Sequence, residues 1–183
     1  YYTIPIRDHE KHSMLSTSQI IQHSSNIGII KIIEKVGPKT LYTTSRDLGF
    51  GSKTGIKLDG EVKGTLNPYQ NWSAVSLGQI AMGHEVGVTA IQLAMAYCAI
   101  ANGGYLLQPK IIKQIIDSKN SALHAEKPTI IRKIADGKTM DEIKKMLRSV
   151  IINGTGNNAE ITGWKVAGKT GTAQKWVDGK YSN

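Results

Sequence analysis

The chain of 183 residues is long enough for one ordinary domain with a real core and short for two. Hydrophobic residues make up 40% and charged residues 20%, which excludes a disordered chain. The net charge of +9 favours anionic surroundings, yet Lys and Arg are scattered and no aromatic-basic interleaving forms a base-stacking platform, so nucleic acid is set aside as a partner.

Ser16 to Val36 reads as two helices broken near Ser24-Ser25-Asn26, the second with Ile29, Ile30, Ile32, Ile33 and Val36 on one side and ended by Gly37-Pro38. A short helix follows over about Pro38 to Asp47, closed by Gly49, and the glycine-rich stretch from Gly49 to Asn71 reads as loop. Val88 to Asn102 is the strongest helix: Thr89 is a good N-cap, and Gly103-Gly104 terminates it. Being apolar nearly all round, it is expected at the centre of a helical layer, with the lone Cys98 as core packing. Two extended segments, "LLQPKIIKQIID" and "TIIRKI", are joined by a polar excursion through Ser118 to Asn120. Thr139 to Ile152 is an amphipathic helix stopped by Gly154 to Gly156. In "GWKVAGKTGTAQKWV", Trp164, Val166 and Gly168 alternate with Lys165 and Ala167, which predicts a strand with one buried face. Helices followed by a few strands imply an α+β arrangement.

One cysteine allows no disulfide within the chain, and no zinc-type spacing occurs. His9 and His12, three apart, read as a solvated pair, so no metal site is expected. No stretch reaches 18 consecutive apolar residues, so any membrane attachment is expected through an anchor outside this chain. Both ends read as cut points in a longer protein.

Acyl transfer needs a nucleophile, a proton carrier, oxyanion donors and a cation for a substrate carboxylate. Lys169-Thr170-Gly171, followed by Thr172, could supply several: a charge, a backbone free of side chain for the substrate to lie against, and an N–H. The same tripeptide at Lys53-Thr54-Gly55 lies in a glycine-rich loop and reads as a turn. Ser24-Ser25-Asn26 is a Ser-x-Asn held between apolar helices, whereas Ser118-Lys119-Asn120 reads as a polar turn.

With the blocks "SSNIGIIKIIEKVG", "LGFGSKTGIKLDGE", "GHEVGVTAIQLAMAYCAIANGGYLLQPKII", "SVIINGTG" and "VAGKTGTAQK" in this order, the chain resembles the penicillin-binding transpeptidase domain, closest to its monofunctional class B branch. "SLGQIAMGHEVGVTAIQLA" resembles division-type enzymes more than elongation-type ones. The family's signatures are Ser-x-x-Lys, Ser-x-Asn and Lys-Thr-Gly. No Ser here is followed three positions later by Lys, so residues 1–183 are expected to be a single incomplete transpeptidase domain, truncated at both ends.

The resemblance implies a partial penicillin-binding/serine β-lactamase-like fold, with a helical subdomain and part of an antiparallel sheet. It implies a D,D-transpeptidase that cross-links peptidoglycan stem peptides through a serine acyl-enzyme and is acylated by β-lactams. Ser24 would relay a proton, Asn26 would bind the substrate amide, and Lys169 would supply positive potential. Thr170 and Thr172 would hold the substrate carboxylate beside Gly171, with the Thr172 N–H in the oxyanion hole. No cofactor or metal is implied. Other cell-wall or division proteins are the implied partners, and the extracytoplasmic side of the cytoplasmic membrane is the implied location. The acyl-accepting Ser would lie outside the chain, so these residues alone are expected to be inactive, and a sheet lacking strands marginally stable. A penicillin-binding sensor or degenerate homologue stays open as an alternative, as does a D,D-carboxypeptidase or serine β-lactamase. The blocks at 49–61 and 101–109 weigh against the β-lactamase.

Overall fold

A computed structural model of the chain describes residues 6–171, together with the backbone of 175–177 and 180–182. Its architecture is the expected α+β mixture of helices and short antiparallel strands, divided into two compact units.

The first unit combines the chain up to Leu41, Tyr69–Glu85 and the chain from Glu142 onward. Helix α1 (Thr17–His23) begins on a reciprocal cap: Gln19 N–H donates to Ser16 Oγ at 3.4 Å, and Ser16 N–H to Gln19 Oε1 at 2.9 Å. It ends with Ser24 in the left-handed region at φ 56°, with Ser24 N–H donating to Ile21 O and Ser25 N–H to Ile20 O, a Schellman closure. Helix α2 (Asn26–Val36) starts at once, because Ser25 Oγ caps it by accepting from Gly28 N–H at 2.9 Å. Gly28 lets the two helices approach closely, since a Cβ there would lie 2.6 Å from an Ile20 carbon. Buried Ile30 and Ile33 supply α2's inner face, and α2 packs on α4 (Ser76–Ala81), whose Ile80 is also buried.

Helix α3 (Pro38–Asp47) follows Gly37 as the sequence predicts. Helix α4 was not anticipated: it is six residues long, too short to show a 3.6-residue period, and Val75 at its start makes no side-chain cap.

The second unit combines Tyr42–Pro68 with Val86–Asp141. Helix α5 (Ala90–Ala101) opens on a Thr89/Gln92 capping box and packs against β1 (Tyr105–Leu107) through Met95, Ala99 and Leu106, joined by Ile134. Gln92 is fully buried, with every polar atom used. Oε1 accepts from Thr89 N–H at 2.9 Å, and Nε2 donates to Ser52 O at 2.7 Å and Lys63 O at 2.9 Å. That amide pins the loop predicted at 49–71. The expectation that α5 is buried all round is not met: Leu93, Tyr97 and Cys98 are exposed. Among the described residues β1 packs on the Met95 and Ala99 face of α5, and the exposed Cys98 is not core packing.

The two predicted extended segments become four short strands: β1, β2 (Gln114–Ile116), β3 (Ala122–Ala125) and β4 (Ile130–Lys133). They form two antiparallel pairs, β1 with β4 and β2 with β3. The polar excursion is the β2–β3 turn. Asp117 Oδ1 accepts from Lys119 and Ser121 N–H at 2.8 Å each, and Asn120 takes φ 61°. Ser118-Lys119-Asn120 is therefore turn chemistry, as expected.

Helix α6 (Gly137–Asn153) starts two residues before the predicted boundary, with the Asp136 carboxylate accepting from Thr139 N–H at 2.7 Å. Its Val150 and Ile151 are buried. The predicted strand through Trp164 to Lys169 does not form. The described residues from 160 to 171 are irregular and Trp164 is 73% exposed, while β5 (Lys175–Val177) pairs with β6 (Lys180–Ser182). The backbone of this segment bonds instead to α6: Gly168 N–H donates to Leu147 O at 3.2 Å, and Val166 O accepts from Arg148.

Candidate functional site

Ser24 owes its position to the helix break. Ser25 turns inward, 4% exposed, where its hydroxyl caps α2 and donates to Asp8 Oδ2 at 2.7 Å. Ser24, in the left-handed position of the closure, is exposed. Adjacent serines thus divide the work: one holds the turn and the other is presented by it.

The segment carrying Lys169 is fixed by α6. The Arg148 guanidinium donates to Val166 O at 2.7 Å and forks onto the Glu160 carboxylate, with Nη2 at 2.8 Å from Oε1. The pair holds Glu160 below the usual carboxylate range and Arg148 above its ordinary value. At the end of α6, Gly154 allows the chain to press against α1: a Cβ there would sit 2.3 Å from Gln22 O. Gln22 Nε2 also donates to Asn153 O at 3.1 Å.

These anchors bring Lys169 to Ser24. Lys169 Nζ donates to Ser24 Oγ at 2.7 Å across 145 residues of sequence, and also to Thr170 O at 3.1 Å and Thr170 Oγ1 at 3.3 Å. Thr170 Oγ1 in turn meets Thr155 Oγ1 at 2.8 Å. Among the described residues no carboxylate forms an ion pair with Lys169, and burial alone holds its ammonium below the ordinary lysine range. Among the described residues this half-buried cation lies beside two hydroxyls without a paired anion, an arrangement that can hold an incoming one.

Of the other expected site residues, Asn26 opens α2 with Nδ2 donating to Arg7 O at 3.2 Å, and Gly171 faces open space among the described residues. Thr172 lies outside the described residues. Thr155 was missed as a site residue. Its block "SVIINGTG" stood out in the sequence, but a Thr between two glycines after a helix signals only a helix stop. The other Lys-Thr-Gly, at 53–55, lies in a loop, as expected. Glu61 accepts from Thr54 N–H at 2.5 Å, Thr54 Oγ1 at 2.6 Å and Gly55 N–H at 3.2 Å, and Gly55 has φ 75°.

A Ser-x-Asn turn and a Lys-Thr-Gly lysine joined on a mixed helical and antiparallel frame define the penicillin-binding/serine β-lactamase-like class of fold. Sequence comparison narrows this. The family profile of the penicillin binding protein transpeptidase domain matches residues 1–183, and the chain belongs to that family. It is 39% identical over 171 residues to stage V sporulation protein D of Bacillus subtilis, covering 93% of this chain and 26% of that protein. It is 29% identical over 180 residues to the probable peptidoglycan D,D-transpeptidase PenA of Neisseria meningitidis, covering 98% of this chain and 29% of that protein. Among solved structures, penicillin binding protein 3 of Mycobacterium tuberculosis complexed with aztreonam superposes with a TM-score of 0.84 at 32% identity, covering 95% of this chain and 41% of that one. The chain thus spans between a quarter and a third of the length of these curated relatives.

Proposed function

We propose that the protein carrying this chain is a peptidoglycan D,D-transpeptidase and that these residues build the Ser-x-Asn and Lys-Thr-Gly side of its site. In this reading a serine hydroxyl attacks the carbonyl of a D-Ala-D-Ala bond, forming an acyl-enzyme and releasing the terminal D-Ala. An amine of a neighbouring stem peptide then takes the acyl group and returns the serine. The family's Ser-x-x-Lys serine has no counterpart in this sequence, so no residue here is assigned as the nucleophile.

Ser24 passes the proton between the attacking hydroxyl and the leaving amine, since its hydroxyl is the nearer of the two that Lys169 reaches, at 2.7 Å against 3.3 Å for Thr170. Lys169, with Thr170 and Thr172, holds the substrate's terminal carboxylate, and the Thr172 N–H serves the oxyanion. Asn26 binds the substrate amide, releasing the Arg7 carbonyl as it does so. β-Lactams enter as mimics of the dipeptide, in keeping with the aztreonam complex of the mycobacterial relative. No described helix is long and apolar enough to cross a membrane. The catalytic domain works on the extracytoplasmic side, with its anchor elsewhere in the protein and with cell-wall or division proteins as partners.

The observation that carries this reading is the Lys169–Ser24 hydrogen bond. Its test is acylation of the full-length protein by a fluorescent penicillin. Lys169→Ala should slow labelling by about a hundredfold or more, as expected for losing a preorganised charged donor. Lys53→Ala should leave it unchanged. Equal effects of the two variants sink the reading.

A further inference from the structure

The segment before α1 meets the last turn of α1 in a way that the transpeptidase reading does not use. Glu10, His12 and His23 each offer one ligand atom, and the three atoms all lie within 4.8 Å of one another. The His12 and His23 rings stand 4.9 Å apart between centroids, tilted by 37°. His12 and His23 are half-buried, while Glu10 is exposed and free to turn.

Both backbones that carry these side chains are fixed. Asp8 Oδ1 accepts from Ile27 N–H at 2.9 Å and its Oδ2 from the Ser25 hydroxyl at 2.7 Å, while Arg7 O accepts from Asn26. The segment is thereby tied to the start of α2 just before it reaches Glu10. His23 sits on the final turn of α1, whose end is closed by the Ser24 and Ser25 amides. The spacing 10, 12 and 23 matches no linear metal motif, so only the fold assembles the set. Sequence spacing pairs His12 with His9, whereas the structure pairs it with His23.

Two imidazoles and one carboxylate are the donor set of a borderline divalent ion. We propose that Glu10, His12 and His23 bind one divalent transition-metal ion of the zinc class, leaving a fourth position to solvent. Zinc–nitrogen bonds of about 2.0–2.1 Å put tetrahedral ligand atoms about 3.3 Å apart. Side-chain rotation, chiefly of Glu10, closes the remaining gap. The His23 ring also has a polar neighbour outside the cluster, with Gln22 Nε2 at 3.3 Å from its Nε2. The ion performs no acyl chemistry. It clamps residues 7–12 to the turn that presents Ser24, so it is a positioning site.

The test is zinc binding by the full-length protein, read by equilibrium dialysis, with Co2+ absorption as a second probe of imidazole ligation. The wild type should take up one zinc that His12→Ala and His23→Ala each bind at least about tenfold more weakly. Glu10→Gln, at an exposed position, serves as the variant least able to disturb folding and should weaken binding in the same sense. His84→Ala should not. Circular dichroism establishes that each variant compared is folded. Zinc uptake that His12→Ala and Glu10→Gln leave within tenfold of wild type overturns the proposal, as does the absence of uptake by the wild type.

Discussion

Lys169 Nζ reaches Ser24 Oγ at 2.7 Å, joining an irregular segment anchored on α6 to the turn between α1 and α2. Burial disfavours the ammonium, so the folded-state pKa of Lys169 lies below the ordinary lysine value. Below that lowered pKa both folded and unfolded chains carry the charge, and the burial penalty subtracts from stability in full. As pH rises through the lowered pKa the folded chain releases the proton first, and the penalty fades until the unfolded pKa is reached.

Stability and acylation should therefore move in opposite directions over the same alkaline window. Urea unfolding should show wild type gaining stability relative to Lys169→Gln as pH approaches the ordinary lysine pKa. Penicillin acylation should fall over that range as the cation is lost. Lys169→Arg, which stays cationic, should lack the fall whatever its absolute rate. An alkaline limb shared by wild type and Lys169→Arg would assign it to another group.

Ser24 occupies the left-handed region at φ 56°, a conformation that costs a residue with a Cβ roughly 1–2 kcal/mol. Comparing Ser24→Gly with Ser24→Ala isolates that cost, since neither variant keeps the hydroxyl. The glycine variant should be the more stable by about 1 kcal/mol in denaturant unfolding, and both should lose acylation. Equal stabilities would mean that the turn relaxes out of the left-handed region once the hydroxyl is gone.

The helices were legible because their signals are local: Thr89 with Gln92, the Gly37 stop, and the apolar side of α2 all lie within a few residues of one another. Ser24 and Lys169 were legible as motifs, and the two decoys were separable by their glycine-rich and polar surroundings. The strand predicted through Lys169 failed for a physical reason. Alternation reports which side chains turn inward, and Val166 and Gly168 are indeed less exposed than Lys165 and Ala167. Ladder partners are set by tertiary structure, and here the backbone bonds go to α6. Thr155 and the His12–His23 contact were hidden for the same reason, because each depends on where a distant segment ends.

Arg148 holds the Lys169 segment by a forked bond to Glu160 and a bond to Val166 O, the latter at 2.7 Å. Arg148→Ala should slow acylation by about tenfold to a hundredfold, the scale of a small misplacement of a reacting group. Arg148→Lys should rescue it poorly, since an ammonium cannot fork onto a carboxylate while also reaching a carbonyl. Full rescue by lysine would reduce the role of Arg148 to charge.

Gly154 offers the sharpest structural test. Its position is fixed by contact and not by a left-handed backbone, since an added Cβ would meet Gln22 O at 2.3 Å and Val150 O at 2.9 Å. Both obstacles are backbone oxygens, which cannot swing aside as a side chain could. Gly154→Ala must therefore push the end of α6 away from α1, at a cost of about 1–3 kcal/mol. The displacement carries Thr155 with it, and Thr155 bonds Thr170 beside Lys169. Unfolding measurements should record the loss of stability, and penicillin labelling at a temperature where the variant is fully folded should record slower acylation. A variant destabilised to this extent but acylated at the wild-type rate would show that the α1–α6 contact supports the fold without positioning Lys169.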